Sequence, residues 1–361
     1  MLETAGTARQ PDGIGVYTRE LERALLGQGA DVRRVGMRGD FHARSLHYPL
    51  PWRLAAAATS TLHVAMPFAA SIEREIDVYH ATDYVVPRFA NTPVVVTLHD
   101  AIPLAHPQWA NPRLRNAKNR LLRRFAESAT LVIAISHAAI PELVEHYAIA
   151  RDRIRVVPLG VDAQWHLPPA AAAAASLASR GVHPGYFLHV GTLQPRKNLD
   201  ALIDAYERLP HAVRARRQLI VVGKYGWAAE ALRERLVSLR SADRVLWLEY
   251  VDAEALRALY HGARAFVFPS LAEGFGLPVV EALAAGVPVI ASDLPALREI
   301  AQGHARFVSP HRIDDLVDAM LEQDRAPHDA ALVSARQRHV RQFTWQACAA
   351  RTLDVYREAI S

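Results

Sequence analysis

The chain alternates between two patterns. Short runs, apolar at successive positions and rich in Val and Ile, recur at 77–80, 93–98, 131–135, 154–157, 186–190, 218–222, 245–247, 265–269 and 288–291. Runs of this kind are how parallel strands read when helices cover both faces of the sheet. Between them lie longer stretches with apolar residues at helical spacing, among them 17–26, 199–208, 228–240, 253–262 and 294–300. Strand–helix alternation on this scale predicts right-handed βαβ units and doubly wound parallel sheets, an α/β fold.

Length divides that fold. With 361 residues the chain exceeds what one hydrophobic core holds, about 250–300 residues, so two domains are expected. A seam falls at Pro168, Pro169 and the six alanines that follow, a stretch without a periodic apolar face. Alanine favours helix, so 169–179 is predicted as a short surface helix within a linker over 166–182. No internal repeat appears at periods of 20–50 residues. Two α/β halves joined by a seam bind ligands in the crevice between them.

Composition narrows the class. With 51% hydrophobic and 22% charged residues the chain is globular. Its one cysteine, Cys348, excludes an internal disulfide and a cysteine-based zinc or iron–sulfur site. Residues 1–11 lack the apolar core of a signal peptide, and the weakly polar stretch 55–70 is too interrupted to span a bilayer. A cytoplasmic protein is expected. The net charge of +5 suits an acidic partner such as a nucleotide or an anionic lipid.

Three segments carry candidate chemistry. Residues 270–286 read SLAEGFGLPVVEALAAG and follow a predicted strand. Gly274 and Gly276 would let the backbone approach a ligand. Pro278 suits a first helical turn and Gly286 a helix stop. The free amides of such a helix end attract phosphate. Glu273 on the loop and Glu281 one turn into the helix can face one ligand. A chance pair of carboxylates is commoner, but the glycines and a matching basic motif reverse that preference. The basic motif is 191–200, GTLQPRKNLD, where Arg196 and Lys197 fall at the C-terminal edge of strand 186–190. Arg offers a planar fork to phosphate oxygens and Lys a compact charge. No acidic residue near them in sequence neutralises the pair. The third segment is DGIGVY at 12–17, with Gly13 and Gly15 opening a helix, a weak signal alone.

Taken together, EGFGLPVVE at 273–281, RKN at 196–198, the Gly13–Gly15 loop, the run at 250–263 and VPLGVD at 157–162 resemble the large retaining glycosyltransferase family 4. The resemblance covers roughly residues 13 to 300. It implies the GT-B fold: two Rossmann-like domains facing a central cleft. Residues 1–165 would form the acceptor domain, with a C-terminal helix at about 343–361 packing back on it, and 183–342 the nucleotide-sugar domain. It implies that Arg196 and Lys197 hold the donor diphosphate and that Glu281 accepts the ribose hydroxyls. Glu273 would contact the transferred sugar, Gly13 and Gly15 would meet the diphosphate, and His99, in TLHD at 97–100, would lie beside the sugar. Gly274, Phe275, Gly276 and Leu277 complete the donor loop. His99, Glu273, Arg196 and Lys197 are the residues assigned to catalysis. VPLGVD and the loop at 223–227 are similar to bacterial mannosyltransferases and point to GDP-mannose and transfer of a hexose. The sequence departs from the family at two places: MLETAGTARQ at 1–10 is a poor strand candidate before the glycine loop, and Glu249 stands where a glycine is common before the tyrosine–valine pair.

The cations replace a metal in this reading, since no Asp-x-Asp stands at a strand edge. No metal and no cofactor beyond the nucleotide-sugar co-substrate are expected. Residues 112–125, PRLRNAKNRLLRRF, hold six cations from Arg113 to Arg124, and no acid occurs between residues 101 and 126. Leu114, Ala117, Leu121, Leu122 and Phe125 recur at helical spacing. A basic amphipathic helix of this kind fits an anionic inner-membrane surface or a pyrophosphate-linked acceptor, and equally a solvated face over a buried stripe. The absence of interleaved aromatics argues against nucleic acid. A GT-B-fold epimerase and a non-catalytic nucleotide-sugar or membrane-surface binding protein stand as alternatives.

Overall fold

The computed structural model describes residues 2–3, 13–35, 45–46, 52–109, 115–226, 228–239 and 244–361. The chain forms two compact units, Met1–Gly160 with Phe343–Ser361, and Val161–Gln342.

The first unit is built on a seven-stranded sheet. Its strands are β1 (Leu2–Glu3), β2 (Arg34–Val35), β3 (Ser45–Leu46), β4 (Tyr79–Ala81), β5 (Val94–Leu98), β6 (Leu131–Ala134) and β7 (Ile154–Val156), in the order β3-β2-β1-β4-β5-β6-β7. Every pairing is parallel. The long apolar runs became β4 to β7. The three leading strands have two residues each, too short to leave a periodic trace. β1 nonetheless pairs with both β2 and β4, so part of the unpromising N-terminal stretch does form a strand.

The second unit repeats the plan with β8 (Tyr186–Val190), β9 (Leu219–Val222), β10 (Val245–Leu248), β11 (Ala263–Phe268), β12 (Val289–Ser292) and β13 (Ala305–Val308), ordered β10-β9-β8-β11-β12-β13. All pairings are again parallel. β13 escaped sequence reading because it is a half-exposed edge strand with Arg306 facing water. One side of the sheet buries Phe187, Leu219, Val221, Val267 and Ile290 against Leu202, Ile203, Leu316 and Met320. In both sheets the strand order reverses beside the first strand, which creates a ligand-binding crevice at the carboxyl ends.

The stretch expected to be a linker, 166–182, lies inside the second unit, and the contact boundary falls at Gly160–Val161. Its alanines form helix Ala171–Ser179, which buries Ala173 and Leu177 and packs against helix Ala253–Gly262. Glu254 accepts the Ala170 amide at 2.7 Å. Small side chains allow close helix docking without an apolar stripe, which is why the segment read as a spacer.

Helix Trp345–Ile360 belongs to the first unit. Its cap, Thr344, accepts the Ala347 amide at 3.1 Å. Tyr356 Oη lies 2.7 Å from His80 Nδ1, and His80 Nε2 lies 2.8 Å from Thr97 Oγ1, which in turn lies 2.8 Å from Tyr17 Oη. This buried relay joins the C-terminal helix to the sheet and to helix Gly13–Gly27. Burial lowers the His80 pKa to about 3, so the imidazole in that chain is neutral.

Candidate active site

The basic motif leaves β8 through a short 3₁₀ turn, Pro195–Lys197. Asn198 then takes a left-handed backbone, φ 55°, and starts helix Leu199–Arg208. Asn tolerates that region better than most residues. Its side chain also donates to the carbonyls of Pro269 at 3.1 Å and Pro310 at 2.8 Å. The turn is thereby tied to the end of β11, and the Leu271 amide adds a bond to the Arg196 carbonyl at 2.8 Å. β8 and β11 are the neighbours where the strand order reverses. Arg196 and Lys197 stand at the edge of that switch point.

Across it stands Glu273. Lys197 Nζ donates to Glu273 Oε1 at 2.5 Å and Arg196 Nη1 donates to the same oxygen at 3.2 Å. Lys197 is 7% exposed and its ammonium lies 4.7 Å from the centroid of the Phe268 ring. Burial pushes the Glu273 carboxyl up, but the charges and hydrogen bonds of Lys197 and Arg196 outweigh it and hold it below the usual range. Two cations thus share one carboxylate, which supplies the neutralising acid that sequence distance had hidden.

The glycine loop leads into helix Leu277–Ala284, with Pro278 in its first turn. Gly276 has φ +102°, and a Cβ there would meet Leu297 Cδ2 at 2.5 Å. Backbone geometry and internal packing favour glycine at this position. Phe275 is buried and Leu277 partly exposed; Gly274 is buried. Gly286, φ +76°, follows the end of the helix. On the helix, Glu281 receives the Tyr260 hydroxyl at 3.1 Å. Burial drives the Glu281 pKa to about 8, only partly opposed by that hydrogen bond. The two carboxylates therefore differ in kind: Glu273 is ionised in a cationic cluster, and Glu281 holds its proton near neutrality.

The remaining predicted residues belong to the first unit. Gly13 and Gly15 form the first turn of helix Gly13–Gly27 and are not in a loop before it. Neither has positive φ, and a Cβ on Gly13 would meet nothing within 4 Å. His99 follows β5 and is buried. Its Nε2 lies 3.0 Å from the Thr82 carbonyl and so carries the proton, while Tyr17 packs edge-on at 5.0 Å between ring centroids.

Sequence reasoning passed over His189. It lies on β8, fully buried, with Nδ1 3.0 Å from the Val267 carbonyl. Nδ1 must donate there, which leaves Nε2 an acceptor, and that atom has no hydrogen-bond partner among the described residues. A Cβ on Gly191 would lie 3.5 Å from this nitrogen and 3.6 Å from Lys197 Cε. Burial holds the His189 pKa at about 4. A His inside an apolar strand carries no motif, so only its neighbours mark it. Tyr260 was missed for the same reason: 21 residues separate it from Glu281. Trp227 of the 223–227 loop lies outside the described residues, as do residues 112–114 of the basic segment.

Two parallel-sheet α/β units, one with a cationic cluster and a helix amino end at its switch point, have the architecture of the GT-B fold. Residues 11–165 match the family model described as Glycosyltransferase Family 4, and residues 180–330 match Glycosyl transferases group 1. The chain is 28% identical over 366 residues to O-antigen chain mannosyltransferase B of Escherichia coli, covering 96% of each chain. It is 31% identical over 287 residues to D-inositol 3-phosphate glycosyltransferase of Paenarthrobacter aurescens (strain TC1), covering 74% of this chain and 68% of that protein. Among solved structures, sucrose-phosphate synthase from Thermosynechococcus elongatus superposes with a TM-score of 0.75 at 23% identity, covering 99% of this chain and 98% of that one. The chain belongs to glycosyltransferase family 4 and is a glycosyltransferase. No described helix is long and apolar enough to cross a membrane.

Proposed function

We propose that this enzyme transfers mannose from GDP-mannose to a glycan or lipid-linked oligosaccharide, with retention and without a metal. One observation carries the donor site: Arg196 and Lys197 converge on Glu273 at the switch point, beside the amino end of helix Leu277–Ala284. Two adjacent cations at the switch point suit a diphosphate, and the helix end adds amide donors. In this reading Arg196 and Lys197, with the amides of 274–277, receive the diphosphate. Glu281 accepts the ribose hydroxyls and Glu273 the sugar hydroxyls. Gly13 and Gly15 serve the diphosphate and His99 the sugar. Mannose as the transferred sugar is supported by the name of the Escherichia coli relative.

The chemistry follows from charge. The bond from the anomeric carbon to the phosphate oxygen breaks with its electron pair going to the diphosphate. Arg196 and Lys197 stabilise that charge, and preorganised donors of this kind contribute about 2.7–4 kcal/mol each. The acceptor oxygen then bonds the anomeric carbon on the same face, and its proton passes to a departing phosphate oxygen.

The described part of the basic segment forms helix Arg115–Glu127, with Lys118, Arg120 and Arg123 exposed and Leu122 and Phe125 buried. This amphipathic face supports docking of the first unit on an anionic lipid surface, the inner face of the cell membrane, where a lipid-linked acceptor would reside.

A thermal-shift panel of GDP, UDP and dTDP in EDTA tests the donor reading. GDP should stabilise the protein without metal. Radiolabelled GDP-mannose with a membrane extract should then yield a labelled glycan. Stabilisation by UDP alone would replace the donor, and a strict divalent-metal requirement would remove the metal-free mechanism.

A further inference from the structure

Among the described residues, the first unit carries a group of exposed large apolar side chains. Helix Trp52–Leu62 turns Trp52, Ala56, Thr59 and Ser60 inward and leaves Leu54 and Leu62 outward, 71% and 69% exposed. These two lie about 12 Å apart along the helix axis. The chain beyond adds Val64 at 49% and Phe68 at 72%. A single exposed leucine needs no explanation, whereas four large apolar side chains in one short segment do.

Phe68 bears two costs. Its ring stands in water, and its backbone is left-handed at φ 59°, a region bulky residues avoid. His63 shares a positive φ of 56°, but there the reason is local. The Val64 amide bonds the Thr59 carbonyl at 3.1 Å and closes the helix end. Around Phe68 the chain is pinned: Met66 and Ala69 are buried, and the Met66 amide donates to the Arg88 carbonyl at 2.7 Å. Folding therefore holds the ring outward.

This surface adjoins the cationic helix. Helices Trp52–Leu62 and Arg115–Glu127 pack together, the Ser60 and Ser128 hydroxyls lie 3.5 Å apart, and Arg124 bonds His63. Lys118, Arg120 and Arg123 are exposed, and within Arg115–Glu127 the one acid is Glu127. Exposed cations on a helix packed against the one that presents the apolar side chains match an anionic bilayer better than a protein partner. We propose that Leu54, Leu62, Val64 and Phe68 form a hydrophobic anchor that enters the acyl boundary of an anionic membrane while the neighbouring arginines bind its headgroups. The proposal rests on the lipid-surface reading of the basic helix and adds insertion to it.

The test places a polarity-sensitive fluorophore at Phe68→Cys. The native Cys348 is buried, so labelling is selective. Phosphatidylglycerol–phosphatidylcholine vesicles should shift the emission to the blue and raise its intensity, and pure phosphatidylcholine should not. A Leu62→Ser/Phe68→Ser variant should bind anionic vesicles at least about tenfold more weakly in sedimentation, with its GDP-induced thermal shift unchanged. Vesicle binding without an emission change would overturn the anchor and leave docking by the basic helix. No binding to anionic vesicles would overturn both readings. A dimer that the double substitution dissociates, with vesicle binding unaffected, would assign the surface to a second copy of this chain and overturn the anchor.

Discussion

Lys197 Nζ is held 2.5 Å from Glu273 Oε1 and at the same time 4.7 Å from the centroid of Phe268. Both side chains of the ion pair are 9% exposed, so neither charge has much water to fall back on. A buried pair broken from one side leaves an uncompensated charge, at about 3–5 kcal/mol. The two halves are unequal here, because Arg196 also reaches Glu273. Removing Lys197 still leaves the carboxylate paired with Arg196. Removing Glu273 takes the shared carboxylate from two adjacent cations at once. Glu273→Gln should therefore lose more stability than Lys197→Ala, yet gain a larger thermal shift from GDP, since the diphosphate replaces the missing anion. Lys197→Ala should lose most of its GDP shift. Equal GDP shifts in wild type and both variants would separate the cluster from nucleotide binding.

Glu281 predicts a pH dependence with a definite sign. Its pKa is raised from 4.5 to about 8, so the folded state binds more protons than the unfolded one between those values. Stability from this group is fully present below about 4.5 and falls as pH rises through about 8. Glu281→Gln, neutral throughout, should flatten that part of the stability profile. If the carboxylate accepts ribose hydroxyls, GDP binding near neutral pH must also release a proton. Calorimetry in buffers of different ionisation enthalpy should detect the release in wild type and not in Glu281→Gln. Identical heats across buffers would remove Glu281 from nucleotide contact.

Asn198 is expected to set the geometry of the cationic turn. Asn198→Ala forfeits a tolerated left-handed backbone and two hydrogen bonds to carbonyls, at about 2–4 kcal/mol together. Asn198→Gly keeps the backbone and loses only the bonds, so it should fall between Ala and wild type. The donor KM should rise in the same order. A Gly variant no more stable than Ala would assign the effect to the side chain alone.

Gly160 makes a separate structural prediction within the first unit. A Cβ there would lie 2.2 Å from the backbone nitrogen of Trp345, which cannot yield as a flexible side-chain tip could. Gly160→Ala should cost about 3 kcal/mol or more and lower the melting temperature by loosening helix Trp345–Ile360. A wild-type melting curve would show that the contact relaxes freely.

Much of the architecture was legible before any coordinate. Strand Tyr186–Val190 and helices Leu199–Arg208 and Ala253–Gly262 fall where apolar periodicity placed them, because a buried parallel strand and an amphipathic helix each write their burial into consecutive residues. Arg196, Lys197, Glu273 and Glu281 were nameable because motif residues sit at strand ends and helix starts, which local patterning marks. The linker was misplaced because alanines dock without a stripe. The glycines were identified, but the reasons for Gly276 and Gly160 lie in Leu297 and Trp345, far along the chain.

What tertiary structure alone decided is which charges meet. One-dimensional order set the strand–helix alternation, the glycine stops and the stock of cations and acids. It could not show that Glu273 neutralises Lys197 across 76 residues, that burial keeps a proton on Glu281 against the Tyr260 hydrogen bond, or that His189 shelters a ring nitrogen without a hydrogen-bond partner among the described residues beside Gly191. Periodicity records whether a side chain is buried. Coulombic pairing and desolvation depend on distances of a few ångströms between residues remote in sequence, and those exist only once the sheet has brought β8 and β11 side by side.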